Sequence, residues 1–213
     1  MKKYYLPLPD REMETVILAN GEFPSHSVPL AILNNSKYLV CCDGAIDNLI
    51  KTGRIPDAIA GDCDSLSKEN AVRFKDIIHR NPDQETNDLT KSVQFCIEQG
   101  RKNICILGAT GKREDHTIAN VSLLWEYMKE VNVEMITDYG VFVAIDSDSV
   151  FESKEGQQVS LFSIDNKPIT LKHVKFPVND HVFTNWWQAT LNEATGNEFL
   201  VETSGRTIVY RAF

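Results

Sequence analysis

The sequence lacks the features that would place the protein in a membrane or on a nucleic acid. No segment approaches the ~20 consecutive apolar residues that a membrane-spanning helix needs, and Met1-Lys2-Lys3 is followed by no long apolar run. We therefore expect neither a membrane span nor a signal peptide. The formal net charge is −8, whereas non-specific binding to nucleic acid or to an anionic membrane requires a basic surface. This charge still permits a small anionic ligand that is held through a divalent cation and a few basic groups.

Cysteine is scarce, and its spacing matches no metal-binding or disulfide pattern. The five cysteines are odd in number, include no C-x-x-C pair and lie mostly inside apolar runs; they are Cys41, Cys42, Cys63, Cys96 and Cys105. This pattern argues against a zinc site and against disulfides. It indicates reduced, buried thiols, as in a cytosolic (cytoplasmic) protein. The length of 213 residues allows one large domain or two small ones.

Strand-like and helix-like segments alternate over roughly the first 130 residues. Buried strands are expected at residues 15–19, 38–42, 58–60, 77–79 and 103–107, and helices follow after short loops. The last of these helices, at about residues 117–129, is expected to bury Ile118, Val121, Leu124 and Trp125. The alternation predicts an α/β fold with a mostly parallel, Rossmann-like sheet and flanking helices, in which ligands bind at the carboxyl ends of the strands.

The sequence changes character near Tyr139-Gly140. Short strand-like runs broken by Gly, Asp, Asn and Pro follow, and they predict a smaller, all-β sandwich domain. We therefore expect an α/β domain at residues 1–138 and a β domain at residues 139–213. Trp186-Trp187 in the second domain has two possible roles, which are stacking on an aromatic or cationic ring and packing in the core or on the surface of the sandwich. We expect packing.

Two aspartates directly follow the third predicted strand, in Gly61-Asp62-Cys63-Asp64-Ser65. If the backbone stays extended, the two side chains share one face and their Cα atoms lie ~6.6 Å apart. Carboxylates at that separation repel each other unless a cation lies between them, and Mg²⁺ is typically held by one or two carboxylates plus phosphate oxygens. The alternative for an isolated Asp-x-Asp is a solvated acidic turn.

Two further segments carry chemistry-bearing groups at predicted strand ends. In Asn87-Asp88-Leu89-Thr90-Lys91, an acid and a base lie on the same helix face, although the helix dipole also explains an aspartate in the first turn. The segment from Gly108 to His116 offers glycines that let backbone N–H groups face a phosphate. Arg113 supplies a guanidinium suited to phosphate oxygens, and His116 either caps the helix or contacts a nucleotide.

Four motifs, in their order and spacing, resemble those of thiamin pyrophosphokinases. They are Asp43-Gly44-Ala45, Pro56-Asp57 with Gly61-Asp62-Cys63-Asp64-Ser65, Gln84-x-Thr86-Asn87-Asp88-x-x-Lys91, and Gly108-Ala-Thr-Gly111-x-Arg113-x-Asp115-His116-Thr117-x-x-Asn120. The resemblance is strong over about residues 15–125. It implies a homodimeric enzyme with an ATP-binding α/β domain and a thiamin-binding β domain. Such an enzyme uses Mg²⁺ to transfer the pyrophosphoryl group of ATP to the hydroxyl of thiamin and releases AMP.

The resemblance also implies roles for individual residues. The implied catalytic residues are Asp43, Asp62, Asp64, Asp88, Lys91, Arg113 and Asp115, of which Asp62, Asp64 and Asp88 are the implied metal ligands. The implied ATP-binding residues are Gly44, Ser65, Thr86, Asn87, Gly108, Gly111, Arg113, His116 and Asn120. The implied thiamin-binding residues are Gln84, Thr195 and Asn197. Either Asp43 or Asp115 is expected to accept the hydroxyl proton.

The chain departs from the family pattern at two places. Ala45 stands where the family usually has a second glycine, and Ala194-Thr195-Gly196-Asn197 stands where it usually has Ser-Thr-Ser-Asn. The second departure removes two hydroxyls from the segment implied to contact thiamin. Two alternative functions follow from the same residues: another metal-dependent transferase that uses a nucleotide, and a non-catalytic nucleotide or thiamin sensor.

Overall fold

The computed structural model describes residues 1–213 and divides the chain into two compact units. One unit comprises residues 9–138, and the other combines residues 1–8 with residues 139–213. The sequence places residues 1–8 in the first domain, whereas the structure groups them with the second. The reason is that strand β1, Lys2–Tyr4, pairs in parallel with β9, Ser149–Glu152. A three-residue strand carries too little pattern to reveal a partner so distant in the sequence.

Six strands and five α-helices alternate along residues 9–138. In chain order they are β2 Thr15–Leu18, α1 Ser27–Asn35, β3 Leu39–Cys42, α2 Ile46–Leu49, β4 Ala58–Gly61, α3 Lys68–Arg73, β5 Ile78–Arg80, α4 Asp88–Glu98, β6 Asn103–Leu107, α5 Glu114–Tyr127 and β7 Asn132–Ile136. The strands lie in the order β7-β6-β2-β3-β4-β5, and the pairs within this order are parallel. The five strands expected from the sequence in this region are all present.

The core of this unit is built on strands that are buried along their whole length. All residues of β2, β3 and β4 are buried, as expected for strands covered on both faces. Helix α4 packs one face inward through Leu89, Val93 and Cys96. Its N-terminus is capped by Asn87, whose side-chain oxygen accepts a hydrogen bond from the Thr90 N–H at 2.8 Å, and such a cap stabilises a helix by about 1 kcal/mol.

Helix α5 differs from the sequence expectation in the face that it buries. It buries Leu124, Trp125 and Tyr127, but Ile118 is 57% exposed and Val121 is only half-buried. The expectation that the first half of this helix is buried is therefore wrong for Ile118. The helix begins at Glu114, and its buried residues lie in its last turns.

The second unit contains nine strands and no α-helix. Besides β1 and β9 they are β8 Gly140–Ile145, β10 Gln158–Ser163, β11 Ile169–Lys172, β12 Val178–His181, β13 Asn192–Glu193, β14 Glu198–Thr203 and β15 Thr207–Ala212. They form two groups, ordered β1-β9-β14-β11-β12 and β13-β10-β15-β8. All pairs in these groups except β1 with β9 are antiparallel. The mixed α/β fold with a C-terminal β unit is thus confirmed.

A buried arginine fixes the N-terminal strand to the second unit. Arg211 is 1% exposed and donates hydrogen bonds to the backbone carbonyls of Tyr4, Tyr5 and Glu152 at 2.8–3.3 Å. Its guanidinium carbon lies 5.3 Å from the ring centroid of Phe151, a cation–π contact. Because a buried charge is stable only when it is paired or hydrogen-bonded, the carbonyls of the N-terminal segment are part of what keeps Arg211 inside.

All five cysteines are free thiols, and Cys41, Cys42, Cys96 and Cys105 are buried, as the sequence predicts. None of the helices combines the length and the apolar character that crossing a membrane requires.

Candidate active site

The carboxyl ends of the central strands of the α/β unit open into a cleft of about 410 Å³. Its lining comes from residues 19–21 after β2, 42–43 after β3, Ser65 after β4, 87–89 at the start of α4, and 109–120 after β6. The cleft therefore lies where a parallel sheet is expected to bind its ligand.

Three carboxylates converge beside the cleft. One oxygen from each of Asp43, Asp62 and Asp64 lies within 4.8 Å of the others. The sequence expects Asp62 and Asp64 to come together on an extended strand, but β4 ends at Gly61 and Cys63 adopts φ +62°. The two aspartates therefore meet through a tight turn and not through strand alternation.

Gly61 is required at this turn for two reasons. Its φ of +151° disfavours residues with a β-carbon. A Cβ on Gly61 would also lie 3.0 Å from Oδ1 of Asp88 and 3.2 Å from Cβ of Asp43. The glycine thus permits the carboxylates of three segments to pack around one point.

Asp43 has the least solvated carboxylate of the group. It is 2% exposed; its Oδ2 accepts a hydrogen bond from the Ser65 N–H at 3.1 Å, and its buried Oδ1 has no partner. Burial raises the pKa of Asp43, the hydrogen bonds from Ser65 oppose this, and the negative charges of Asp88 and Asp62 add to it. A buried carboxylate oxygen without a partner is costly, and a hard cation such as Mg²⁺, which prefers carboxylate oxygens, fits this donor set.

Lys91 supplies a buried positive charge behind these acids. It is 3% exposed, and its Nζ lies 3.5 Å from Oδ2 of Asp62 and 3.4 Å from Oδ1 of Asp88. Asp88 also accepts a hydrogen bond from the Asp62 N–H at 3.1 Å. The pKa of Asp62 is lowered, chiefly by the hydrogen bond from the Asp64 N–H and further by Lys91. Asp88 and Lys91 thus share a helix face, as the sequence predicts.

The loop after β6 closes the other side of the cleft. Gly108 and Gly111 adopt φ +63° and +77°. The Gly21 N–H donates to the Gly108 carbonyl at 2.7 Å and the Glu22 N–H to the Thr110 carbonyl at 2.8 Å. The amide nitrogen of Asn120 donates to the Ala109 carbonyl at 2.8 Å. The loop is therefore held by the 19–22 segment on one side and by α5 on the other.

Arg113 and Asp115 form an exposed pair at the start of α5. Nε and Nη2 of Arg113 donate to the two carboxylate oxygens of Asp115 at 3.1 and 2.5 Å. These hydrogen bonds, together with one from the His116 N–H, lower the pKa of Asp115 to about 2. Asp115 is therefore a weak proton acceptor, whereas the raised pKa of Asp43 suits one better.

The structure brings most of the residues implied by the sequence to this cleft. Those that line it are Asp43, Ser65, Asn87, Asp88, Gly111, Arg113, His116 and Asn120. Others lie beside it without lining it: Gly44, Asp62, Asp64, Lys91, Gly108 and Asp115. Gln84 and Thr86 are in the loop before α4, where they bond to Pro82 and Asp83, and neither lines the cleft.

Sequence reasoning missed several residues that line the cleft, notably Asn20, Gly21, Cys42 and Lys112. Asn20-Gly21 is a strong turn dipeptide, and its sequence alone predicts only a turn. Its position after a central strand is the signal that would have placed it at the site.

In the second unit, the 194–197 segment is held mainly by its backbone. The Thr195 N–H donates to the His173 carbonyl at 3.0 Å, and the Asn197 and Gly196 carbonyls accept hydrogen bonds from Ser153 at 2.8 and 2.7 Å. A Cβ on Gly196 would meet no atom within 4 Å, so a serine fits there without a clash.

The two tryptophans of the second unit are largely exposed. They lie in a 3₁₀ turn, Trp186–Ala189, where Trp186 is 51% and Trp187 71% exposed. Trp186 donates its Nε1–H to the Ser163 carbonyl at 3.2 Å and packs edge-on against Phe162. Trp186 thus packs at the surface, which is one of the two expected forms of packing, whereas Trp187 is too exposed for core packing.

Both halves of the chain match models of known protein families. Residues 30–136 match the family model described as thiamin pyrophosphokinase, catalytic domain, and residues 140–210 match the one described as thiamin pyrophosphokinase, substrate-binding domain. The chain thus has two parts, of which the first matches a catalytic-domain model and the second a substrate-binding-domain model. It belongs to the thiamin pyrophosphokinase family.

Individual relatives agree with this assignment. Thiamin pyrophosphokinase 1 of Caenorhabditis elegans is 34% identical over 114 residues, which are 49% of this chain and 46% of that protein. Thiamine pyrophosphokinase of Bacillus subtilis (strain 168) is 26% identical over 181 residues, 79% of this chain and 83% of that protein. The match thus spans about half of the nematode relative. The structure of thiamin pyrophosphokinase from Candida albicans, 18% identical, covers 100% of this chain and 93% of its own, with a TM-score of 0.81, and so shares the fold.

Proposed function

We propose that the chain catalyses the Mg²⁺-dependent transfer of the pyrophosphoryl group of ATP to the hydroxyl of thiamin, giving thiamin pyrophosphate and AMP. Family membership supports the reaction in general terms. The single observation that best supports the Mg²⁺ dependence is the unpartnered, buried Oδ1 of Asp43. Asp43 belongs to a cluster of three carboxylates next to a glycine-containing loop. Carboxylates of this kind bind a divalent cation that neutralises phosphate charge.

Each part of the cleft has a proposed role. Asp62, Asp64 and Asp88 are the proposed metal ligands, and Asp43 fits the same donor set. When bound, Mg²⁺ supplies charge neutralisation at phosphate oxygens. Lys91 balances the charge of the acids, and Arg113 holds the phosphate chain. Asp43 accepts the hydroxyl proton in preference to Asp115, whose pKa is about 2.

The remaining implied residues are proposed to bind the two substrates. The nucleotide is proposed to contact Gly44, Ser65, Thr86, Asn87, Gly108, Gly111, His116 and Asn120. We propose that residues 9–138 form the ATP-binding domain and that the β unit binds thiamin and forms a homodimer. Gln84, Thr195 and Asn197 are the proposed thiamin contacts. A cytoplasmic location and a Rossmann-like sheet remain predictions.

An assay with ATP, Mg²⁺ and thiamin, with products resolved by mass, tests the proposed reaction. We expect one AMP and one thiamin pyrophosphate per turnover, and no reaction when EDTA removes the metal. ADP as the stoichiometric product would reject pyrophosphoryl transfer. Tight binding of both substrates without any product would instead indicate a sensor.

A further inference from the structure

The basic groups at the cleft differ in whether a carboxylate already neutralises them. Arg113, which lines the cleft, forms two hydrogen bonds with Asp115, and Lys91 contacts Asp62 and Asp88. Lys112 also lines the cleft, but no carboxylate lies within 4 Å of its ammonium. Among the basic side chains that line the cleft, Lys112 is therefore the one that no carboxylate neutralises.

The ammonium of Lys112 is bound to neutral oxygens only. Nζ donates to the backbone carbonyl of Asn20 at 2.9 Å and lies 3.3 Å from the side-chain Oδ1 of the same residue. Asn20 lines the cleft as well. The Lys112 side chain thus extends from the loop after β6 to the segment after β2, where an anionic ligand in the cleft would offer stronger acceptors.

The backbone of Lys112 is in an unfavourable conformation for a lysine. Its φ is +54°, in the left-handed region that residues with a β-carbon rarely occupy. The surrounding backbone is fixed by the hydrogen bonds of Gly21 and Glu22 to the loop, and a Cβ on Gly111 would lie 2.6 Å from Cβ of Glu22. The loop is therefore closely packed, and the exposed Lys112 side chain is the part that is free to change partners.

We propose that Lys112 contacts the phosphate chain of the nucleotide, and that its ammonium exchanges the two Asn20 oxygens for phosphate oxygens when the nucleotide binds. The inference rests on the proposed use of ATP. Arg113 would have to leave Asp115 to play the same part, whereas Lys112 gives up only neutral acceptors. Lys112 is thus a nucleotide-binding residue in addition to those that the four motifs imply.

Calorimetric titration of the full chain with α,β-methylene-ATP and with adenosine, both in the presence of Mg²⁺, tests this proposal. The analogue carries the phosphates but cannot undergo transfer, and adenosine lacks them. The informative variants are Lys112→Met, which removes the charge, and Lys112→Gly, which also relieves the left-handed backbone. Lys51→Met is the matched control, because Nζ of Lys51 likewise bonds an asparagine oxygen, that of Asn48 at 3.0 Å, but lies outside the cleft lining.

We expect both Lys112 variants to bind the analogue at least about 10-fold more weakly, the scale of a lost charge-assisted hydrogen bond. Adenosine binding and the Lys51→Met variant should be unchanged, Lys112→Arg should retain binding, and the effect should shrink as salt is raised. Wild-type affinity of Lys112→Gly for the analogue would overturn the proposal while leaving the proposed function intact. An equal loss for both ligands would mean that Lys112 only maintains the loop. Failure of the wild-type chain to bind the analogue would overturn the proposed function as well.

Discussion

Nζ of Lys91 lies 3.5 Å from Oδ2 of Asp62, although the two residues come from different elements, α4 and the turn after β4. Lys91 is almost completely buried, whereas Asp62 is partly exposed. The ammonium therefore lies beneath the acidic turn, where it offsets part of the carboxylate charge from the protein side. This arrangement leaves the outer oxygens of the turn available to a cation from the cleft side.

Replacing Lys91 tests this arrangement. In Lys91→Met the side-chain volume is nearly kept but the ammonium is lost, so Asp62 and Asp88 repel each other more strongly. We expect kcat to fall by roughly 10²-fold, the scale of a lost preorganised electrostatic group. The variant should be destabilised by less than the ~3–5 kcal/mol typical of a broken buried ion pair, because Asp62 and Asp88 are partly exposed. Steady-state kinetics and urea denaturation measure the two effects. A variant that unfolds more easily but keeps its kcat would give Lys91 a purely structural role.

The acidic turn gives a second prediction. Asp62→Asn and Asp64→Asn should each lower kcat by about 10²-fold or more, because each removes a carboxylate from the proposed metal site. Without metal, Asp64→Asn should leave the fold unaffected or slightly stabilised, since like-charge repulsion is relieved. Asp62→Asn should be slightly less stable than wild type, because the lowered pKa of Asp62 means that the fold favours its charged form. Asp76→Asn, outside the cleft lining, is the control. Near-normal turnover of both variants at saturating Mg²⁺ would place the metal elsewhere.

The pKa of Asp43 gives a pH-dependent prediction. Because burial raises the pKa of Asp43 above its ordinary value of 3.8, the folded protein binds this proton more tightly than the unfolded chain does. Asp43 therefore reduces stability as pH rises above 3.8 toward its folded pKa. In metal-free buffer, Asp43→Asn should lack this loss, so its Tm should rise relative to wild type over that interval. A Tm difference that does not change with pH would contradict the assigned shift.

The dependence of kcat on pH can decide whether Asp43 or Asp115 accepts the hydroxyl proton. The informative part is the acid limb, where kcat rises with pH. If Asp43 accepts the proton, activity should rise as pH passes the pKa that Asp43 has in the Mg²⁺-loaded enzyme, and Asp43→Asn should remove that limb. Asp115→Asn should leave the limb in place, because a carboxyl with a pKa of about 2 is already ionised. Loss of the limb in Asp115→Asn alone would reverse the assignment.

Assembly provides a further prediction. Phe176, Trp187 and Leu191 are each more than half exposed. Obligate interfaces are rich in apolar side chains, and aromatic ones are enriched in them. We expect light scattering to show a dimer, and Trp187→Ser to shift it toward monomer, whereas Lys154→Ser on the same unit should not. A wild-type chain that is fully active as a monomer would reject the proposed homodimer.

Local sequence signals were enough to predict much of the structure of the α/β unit. The apolar strands and the shared face of Asp88 and Lys91 follow from short-range periodicity and side-chain chemistry, and Ser67 and Asn87 are residue types that commonly cap helices. The Ser67 hydroxyl does accept a hydrogen bond from the Asn70 N–H. Such features are predictable because the residues that determine them lie within one or two turns of each other.

The features that were not predicted depend on tertiary packing. A left-handed Cys63 is unfavourable locally and is adopted only because the neighbouring strands and Asp88 fix the turn. Ile118 has the apolar character of a core residue, but its position on α5 leaves it exposed. The Asn20 carbonyl accepts a hydrogen bond from Lys112, which lies 92 positions later. No local sequence pattern predicts a contact over that distance.

The parallel pairing of β1 with β9 has a consequence for the order in which the chain folds. The Leu6 N–H donates to Oε2 of Glu152, 146 positions away, so strand β1 precedes the α/β unit in the chain, whereas its partner strand follows that unit. Closing so long a loop before any local contact forms is entropically unfavourable. The α/β unit is therefore expected to fold first during synthesis, with the N-terminal strand docking late and Arg211 among the last side chains to be buried.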